Sequence, residues 1–449
     1  MSILMVGDIL PITLQVITQR MKEFEPFEDQ PIIAVALSGG IDSMALTYLL
    51  TEWVYNKKGK IIAITVDHGL RAESASEAQL VGAQLLRYGI EHIILRWDNP
   101  IKPTSNIQAH ARKVRYELLT NWCQENNILH LCIAHNQEDQ IETFLNNIDR
   151  GSGIDGLSAM YKISYFNNIR IIRPFLNISK ASLKHYLEVN NYVWYEDPSN
   201  KSDKYQRNRL RKILLAYGGD ESLLTKRLNS TIDNMQRVRN SIENSVSREA
   251  INAIRIYTEG YARILVEKFL KIDPEESLCL LSRLITTISG NEKRPRFKSI
   301  NLLRSVIINN KIFNTLTLGN CKISLTRDKN EILVYREAVK HNINTILIDN
   351  NSMMWDNRFL VVTNEINGHS DHDITINYLL CEGLSIYMKN QNSLLYNKNM
   401  PKSVMATLPA LRILDKVVAI PHIDYYEYEW LKNNIKIDFN PVTPLTRMI

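Results

Sequence analysis

A Ser/Gly-rich hexapeptide at 38–43, SGGIDS, carries the clearest chemistry of this 449-residue chain. It directly follows the apolar run 32–37, so the pattern predicts a strand that breaks into a turn and then a helix. Glycines let the backbone approach a ligand closely, and the amides and dipole of a helix start favour an anion. Ser38 and Ser43 add hydroxyl donors, and the Asp42 carboxylate can hold a magnesium ion. The hexapeptide therefore predicts a phosphate-binding loop, with a plain strand-to-helix turn as the simpler alternative.

A second cluster, AHNQEDQIET at 134–143, places three carboxylates within five residues where another apolar run ends. Asp139 and Glu142 are three residues apart, so on a helix they share a face and can converge on one cation. That cation is either magnesium or an amine substrate. Capping of the helix dipole explains one or two of the carboxylates without any catalytic role.

Other polar motifs have weaker readings of their own. The segment DHGLR at 67–71 ends an apolar run and either lines a nucleotide cleft or forms a satisfied turn. Helical spacing puts Gln108, Arg112 and Tyr116 on one face, where the guanidinium could hold a phosphate or a carboxylate. The segment 204–212 has five basic residues and no acidic one, which indicates a contact with a nucleic-acid backbone or a solvated helix face.

Alternating apolar runs and helical patterns predict the elements that position these motifs. The runs lie at 32–37, 61–66, 92–96, 129–134 and 169–173, and helical spacing lies between them at 42–55, 74–88 and 106–126. Strands separated by helices of this length indicate an α/β fold with a doubly wound parallel sheet. Ligands of such folds bind at the carboxyl ends of the strands, which is where the polar motifs begin.

The chain is too long for one core, and its character changes along its length. We predict an N-terminal catalytic domain at 1–217, a mainly helical middle domain ending in a β meander at 218–338, and a small α+β domain at 339–449.

Composition excludes several classes of protein. Apolar content of 45% and charged content of 23% are typical of a soluble globular protein, and no apolar stretch reaches membrane-spanning length. The N-terminus lacks a signal pattern, so a cytoplasmic location is expected. The five cysteines are scattered and form no CxxC pair, which favours buried structural thiols over zinc, an iron–sulfur cluster or disulfides.

Taken in order, the motifs of the chain resemble the tRNA(Ile)-lysidine synthase family of PP-loop ATP pyrophosphatases. The matching motifs are SGGIDS (38–43), DHGLR (67–71), NIQAHARKVRY (106–116), AHNQEDQIET (134–143), RGSG (150–153), RPFL (173–176), DPSN (197–200) and RNRLR (207–211). The stretches MWDNRF at 354–359 and LPAL at 408–411 resemble landmarks of the family's C-terminal domain. The resemblance therefore implies that the domain at 339–449 binds tRNA.

The resemblance implies an activity, its substrates and its cofactors. The enzyme would use ATP and Mg²⁺ to activate C2 of the wobble cytidine in the isoleucine tRNA with a CAU anticodon. The ε-amine of free L-lysine would then displace AMP and give lysidine. The sequence leaves the oligomeric state open and is compatible with a homodimer.

The same resemblance implies residue roles. Residues expected to be catalytic are Asp42, Arg112, Asp139 and Glu142, with Asp42 also holding the metal. Residues expected to bind the nucleotide are Ser38, Gly39, Gly40, Ile41, Asp42, Ser43, His68 and His135. Residues expected to bind tRNA are Arg150, Arg207, Arg209 and Arg211.

Two positions depart from the family pattern AHHxDDQ: Asn136 replaces the second histidine, and Glu138 replaces the first aspartate. An asparagine takes no proton, so Asn136 is excluded as a general base. Two alternatives to lysidine formation remain. One is another PP-loop enzyme, such as a tRNA thiolase, and the other is a tRNA-binding protein without catalysis.

Overall fold

The computed structural model describes residues 12–67, 69, 74–97, 107–195, 222–309, 314–338, 345–347, 349, 351–366, 372–380, 383 and 400–446. The chain forms two compact units, Met1–Arg239 and Asn240–Ile449. The boundary between the units falls inside a long helix, Leu223–Ala253. The second unit contains both the predicted β meander and the predicted C-terminal domain, and the three-domain division remains a prediction.

The first unit alternates strands and helices, as the sequence predicts. Its helices are α1 (Leu14–Lys22), α2 (Ile41–Tyr55), α3 (Ser74–Leu86), α4 (Ile107–Glu125), α5 (Gln137–Asp149), α6 (Ile154–Leu157), α7 (Lys180–Val189) and the first part of α8 (Leu223–Ala253). Its strands are β1 (Ile32–Ala36), β2 (Lys60–Asp67), β3 (Glu91–Arg96), β4 (His130–Ile133), β5 (Ile163–Phe166) and β6 (Ile169–Ile172).

These strands form one sheet in the order β3-β2-β1-β4-β6-β5. Every neighbouring pair is parallel except β5 and β6, so the predicted doubly wound parallel sheet is confirmed and carries one antiparallel edge strand. The chain leaves β1 toward β2 on one side and returns to β4 on the other. The adjacent strands β1 and β4 therefore mark the topological switch point, where ligands of such folds bind.

Helix α2 lies buried in the first unit. Alternate side chains of β1 face opposite sides of the sheet: Ile33 and Val35 pack with α2, while Ala34 packs in a separate cluster with α4 residues. Helix α2 is apolar nearly all round, and it contacts α1 and α7 as well as the strands. The start of α2, which carries the hexapeptide, is therefore held by packing on several sides.

The second unit contains the rest of α8, three sheets and short helices. Its further helices are α9 (Val266–Phe269), α10 (Pro274–Ser289), α11 (Phe297–Ile308), α12 (Lys402–Met405) and α13 (Glu429–Asn434). One sheet has the order β7 (Ile254–Tyr257), β8 (Tyr261–Leu265), β11 (Glu331–Arg336), β10 (Cys321–Leu325), β9 (Leu316–Leu318). The second has the order β12 (Thr345–Ile346), β15 (Ile374–Tyr378), β16 (Pro409–Ile413), β17 (Lys416–Ile420), β18 (Tyr425–Tyr426). The third is β13 (Ser352–Trp355), β14 (Phe359–Thr363), β19 (Ile435–Phe439).

A buried charge network lies in the turn between β13 and β14. The Asp356 carboxylate accepts from Arg358 Nε at 2.6 Å and from Arg336 Nη2 at 3.1 Å. Tyr378 donates its hydroxyl to the same carboxylate at 2.6 Å. Because Arg336 belongs to β11 and Tyr378 to β15, this network joins the three sheets of the second unit.

Candidate active site at the carboxyl edge of the sheet

The hexapeptide forms a tight loop that leaves the first amides of α2 without a side-chain cap. Gly39 has φ +79°, a left-handed conformation that favours glycine, and a Cβ there would lie 2.9 Å from Val81 Cγ2. The Gly39 carbonyl accepts from the amide of Tyr195 at 2.9 Å. Gly40 is the N-cap residue and offers no side chain to those amides. The loop therefore has the backbone geometry that anion binding requires, and phosphate binding here remains a prediction.

The Ser43 hydroxyl holds the loop closed. It donates to the Gly40 carbonyl at 3.1 Å and accepts from the Ser38 amide at 3.1 Å. Since its one proton is used on Gly40, the 3.0 Å contact between the two serine hydroxyls has Ser38 as the donor. Ser43 is buried and Ser38 is exposed, so Ser43 shapes the loop while Ser38 lines its open side.

Asn136 connects the hexapeptide to the second motif across the switch point. Its Nδ2 donates to Asp42 Oδ1 at 3.1 Å, and its Oδ1 accepts from the Asp139 amide at 3.0 Å. The Asp139 carboxylate in turn accepts from the Asn136 amide at 3.1 Å, which completes a capping box at the start of α5. The structure thus brings Asp42 and Asp139 to either side of one asparagine.

The other two carboxylates of this motif lie in different surroundings. Glu138 accepts from the amide of Lys180 at 2.9 Å, so its carboxylate caps the first turn of α7. Glu142 lies on α5 and is only 2% exposed. A convergence of Asp139 and Glu142 on a substrate amine remains a prediction, because Asp139 also serves the capping box.

Arg173 is a site residue to which the sequence assigned no role of its own. It follows β6 directly, and its Nε donates to His135 Nδ1 at 3.2 Å. Its Nη1 donates to the Tyr161 carbonyl and to Ser164 Oγ, and burial lowers the pKa of the guanidinium. Since a guanidinium only donates, His135 Nδ1 accepts, and the proton of the neutral imidazole lies on Nε2. The position of Arg173 directly after an apolar run is the feature of the sequence that points to it.

The predicted basic residues that the structure describes are exposed. Arg112 lies on α4, and its Nη2 contacts Tyr116 Oη at 3.4 Å, consistent with the predicted shared face. Arg150 ends α5 and is followed by Gly151 at φ +64°. The Gln108 side chain lies outside the described part of the chain, as do His68, Arg207, Arg209 and Arg211.

Asp67 ends β2 and turns the chain that follows it. Its Oδ1 accepts from the amide of Gly69 at 2.9 Å, and its side chain is largely buried. This contact is the Asx turn expected of an aspartate in this position. Of the two interpretations of segment 67–71, the turn therefore has a defined contact at Asp67, and His68 lies outside the described residues.

A magnesium ion fits the site at Asp42. Within the described ranges, no group of three His, Cys, Asp or Glu side chains could hold a metal. Mg²⁺ usually takes one or two protein carboxylates, with substrate phosphates and water filling the remaining positions. A single half-buried carboxylate in the first turn of α2, beside the predicted phosphate loop, matches that donor set.

Three of the cysteines are buried thiols, as predicted. Burial raises the pKa of Cys123, of Cys132 and of Cys321 to about 12. At neutral pH these groups hold almost no thiolate, which is the nucleophilic form. They are therefore poorly suited to the sulfur chemistry that a thiolase requires. Cys279 is partly exposed, and Cys381 lies outside the described residues.

The strand, the phosphate loop and the switch-point contacts define a PP-loop nucleotide-binding protein, and residues 13–217 match the PP-loop domain family. A tRNA(Ile)-lysidine synthase of Orientia tsutsugamushi is 37% identical over 433 residues, covering 94% of this chain and 96% of the relative. One of Rickettsia typhi is 36% identical over 420 residues, covering 91% and 93%. The chain belongs to the tRNA(Ile)-lysidine synthase family.

The chain is also similar to a solved structure, the U34-tRNA thiolase of Methanococcus maripaludis, with 20% identity and a TM-score of 0.41 over 50% of this chain and 79% of the thiolase chain. Among the described residues, no helix is both long and apolar enough to cross a membrane.

Proposed function

We propose that the protein ligates free L-lysine to C2 of the wobble cytidine in the isoleucine tRNA with a CAU anticodon. ATP is consumed to AMP and diphosphate, and the product is lysidine, which lets the tRNA read AUA. One observation carries the proposal: an uncapped loop of the predicted phosphate-binding type lies at the switch point, in a chain that aligns with a tRNA(Ile)-lysidine synthase over 94% of its length.

The first step transfers AMP to the cytidine. The C2 carbonyl oxygen attacks the α phosphorus of ATP, the bond to the β phosphate breaks, and diphosphate leaves. The amides at the start of α2 are proposed to bind this leaving group, and the Ser38 hydroxyl is proposed to turn from Ser43 and donate to it. Asp42 would hold Mg²⁺, which offsets the negative charge of the diphosphate. Arg112 is proposed to contact a phosphate or carboxylate of the substrates.

The second step replaces AMP by lysine. The ε-amine attacks C2, the C–O bond to AMP breaks, and a C–N bond forms. Asp139 and Glu142 are proposed to bind the ammonium and to help it lose a proton before the attack.

The tRNA contacts follow from charge and from the chemistry of the substrate. The wobble base must leave the anticodon stack before C2 can reach the nucleotide, which suits a protein that reads a single-stranded loop. Exposed Arg150 and the basic segment with Arg207, Arg209 and Arg211 are proposed to hold the RNA backbone. A cytoplasmic location and a homodimer remain predictions.

Incorporation of radiolabelled lysine tests the proposal. The protein is incubated with ATP, Mg²⁺, labelled lysine and isoleucine tRNA bearing a CAU anticodon. The matched control is the same tRNA with a GAU anticodon, which has no cytidine at the wobble position. We expect label only in the CAU tRNA, and its absence there would refute the function.

Asp42→Ala tests the role assigned to the phosphate loop. We expect loss of AMP release with little change in tRNA binding, because the carboxylate acts on the nucleotide and not on the RNA. The measurements are AMP formation by chromatography and tRNA affinity by filter binding. AMP release at the wild-type rate would contradict the proposed metal role of Asp42.

A further inference from the structure

The amide of Asn136 is engaged at both ends. Its Oδ1 accepts from the amide of Asp139, and its Nδ2 donates to Asp42 Oδ1, at 3.0 and 3.1 Å respectively. The residue is only 3% exposed. An asparagine stands here where the family pattern has a histidine, and it cannot act as a general base.

The orientation of this amide follows from its neighbours. A backbone amide can only donate, so the Asn136 oxygen must face Asp139 N. The NH₂ group must then point toward Asp42, whose ionised carboxylate only accepts. The two contacts are compatible with one flip state of the asparagine, and that state presents a neutral donor to Asp42 at every pH.

We propose that Asn136 is a positioning residue that orients the Asp42 carboxylate for Mg²⁺ and the diphosphate of ATP, an inference that rests on the proposed function. Hydrogen bonds to a metal-binding carboxylate fix the direction of its lone pairs, and their loss typically costs about 10–100-fold in metal affinity. Asn136 starts α5 while Asp42 lies in the first turn of α2, so the contact fixes the two helix starts to each other across the switch point.

The two functions of Asn136 can be separated by substitution. Asn136→Ser keeps a good N-cap acceptor, but its side chain is too short to reach Asp42. Asn136→Ala removes both the cap and the donor. Ser179→Ala is the matched control, because Ser179 caps a different helix, α7, through the amide of Ser182 at 3.2 Å.

The experiment measures binding of α,β-methylene ATP by calorimetry over a range of free Mg²⁺ concentrations, together with the urea midpoint of unfolding. For Asn136→Ser we expect a wild-type urea midpoint and an increase of about 10–100-fold in the Mg²⁺ concentration at half-maximal effect. Asn136→Ala should show the same Mg²⁺ shift with a lower urea midpoint. Ser179→Ala should lower the urea midpoint and leave the Mg²⁺ dependence unchanged.

The outcomes separate this inference from the function on which it rests. Wild-type Mg²⁺ dependence in Asn136→Ser overturns the positioning role alone, because the protein still binds the analogue. A shift of equal size in Ser179→Ala also overturns it, since loss of any cap would then suffice. Failure of the wild-type protein to bind the analogue at any Mg²⁺ concentration overturns both the proposed function and the inference.

Discussion

Replacement of Gly39 by alanine tests the proposed phosphate-binding role of the loop at 38–43. An alanine at φ +79° carries about 1–2 kcal/mol of backbone strain. Its Cβ would also lie 2.9 Å from Val81 Cγ2, a buried side chain of α3, and such overpacking typically costs about 1–3 kcal/mol. We therefore expect Gly39→Ala to lose about 2–5 kcal/mol of unfolding free energy.

Relief of that overlap must move the loop, and the loop leads directly into the amides that are proposed to bind the phosphates. Each hydrogen bond to a charged group contributes about 1.5–3 kcal/mol, so one lost contact weakens nucleotide binding by more than about 10-fold. Gly89→Ala is the matched control. Gly89 has φ +69°, but a Cβ there meets no atom within 4 Å, so only the strain applies.

The assay compares urea unfolding with calorimetric binding of α,β-methylene ATP in Mg²⁺. We expect Gly89→Ala to lose about 1–2 kcal/mol of stability and to bind the analogue as the wild type does. Wild-type affinity in Gly39→Ala would refute the assignment of this loop to phosphate. Equal loss of affinity in Gly39→Ala and Gly89→Ala would show that the backbone strain of an alanine at positive φ, whatever its position, accounts for the weaker binding.

Two further predictions concern the second unit and are read by urea denaturation. Asp356→Ala leaves the buried guanidinium of Arg358 without its carboxylate and should cost about 3–5 kcal/mol, and a loss below about 1 kcal/mol would contradict the network. Burial lowers the pKa of His422 to about 4 from 6.5. The unfolded state then binds more protons between these values, so stability is full above pH 6.5 and falls by up to about 2 kcal/mol at pH 5. His422→Met should remove this part of the pH dependence of the unfolding free energy. An unchanged pH dependence would exclude His422 as its source.

The parallel core of the first unit could be predicted because each central strand is a continuous apolar run. Edge hairpins were harder to find. Strand β5 was missed, although Asn167 and Asn168 at positive φ form the two-residue turn that joins it to β6. The hairpin of β7 and β8 was also missed, since it is short, lies between helices and pairs with β11 some 70 residues later.

Long-range contacts of the candidate site could not be predicted either. Asp42 and Asp139 lie on two recognisable motifs. The contact by which Asn136 joins them spans 94 positions and depends on the pairing of β1 with β4. Likewise, Glu138 looks like a third site carboxylate in the sequence. Only the packing of α7 against the start of α5 reveals that it caps a helix.

The burial of α2 has a consequence for how nucleotide affinity is maintained. Because the helix is enclosed on several sides, the direction of its first amides is set by the packing of residues such as Leu49 and Trp53, well along the helix from the loop. The backbone dipoles that are proposed to bind the diphosphate are thus aligned by the folding of the domain itself. Core packing around α2 and the affinity for ATP are consequently linked. We expect a cavity beneath α2 to lower the affinity of this domain for phosphate.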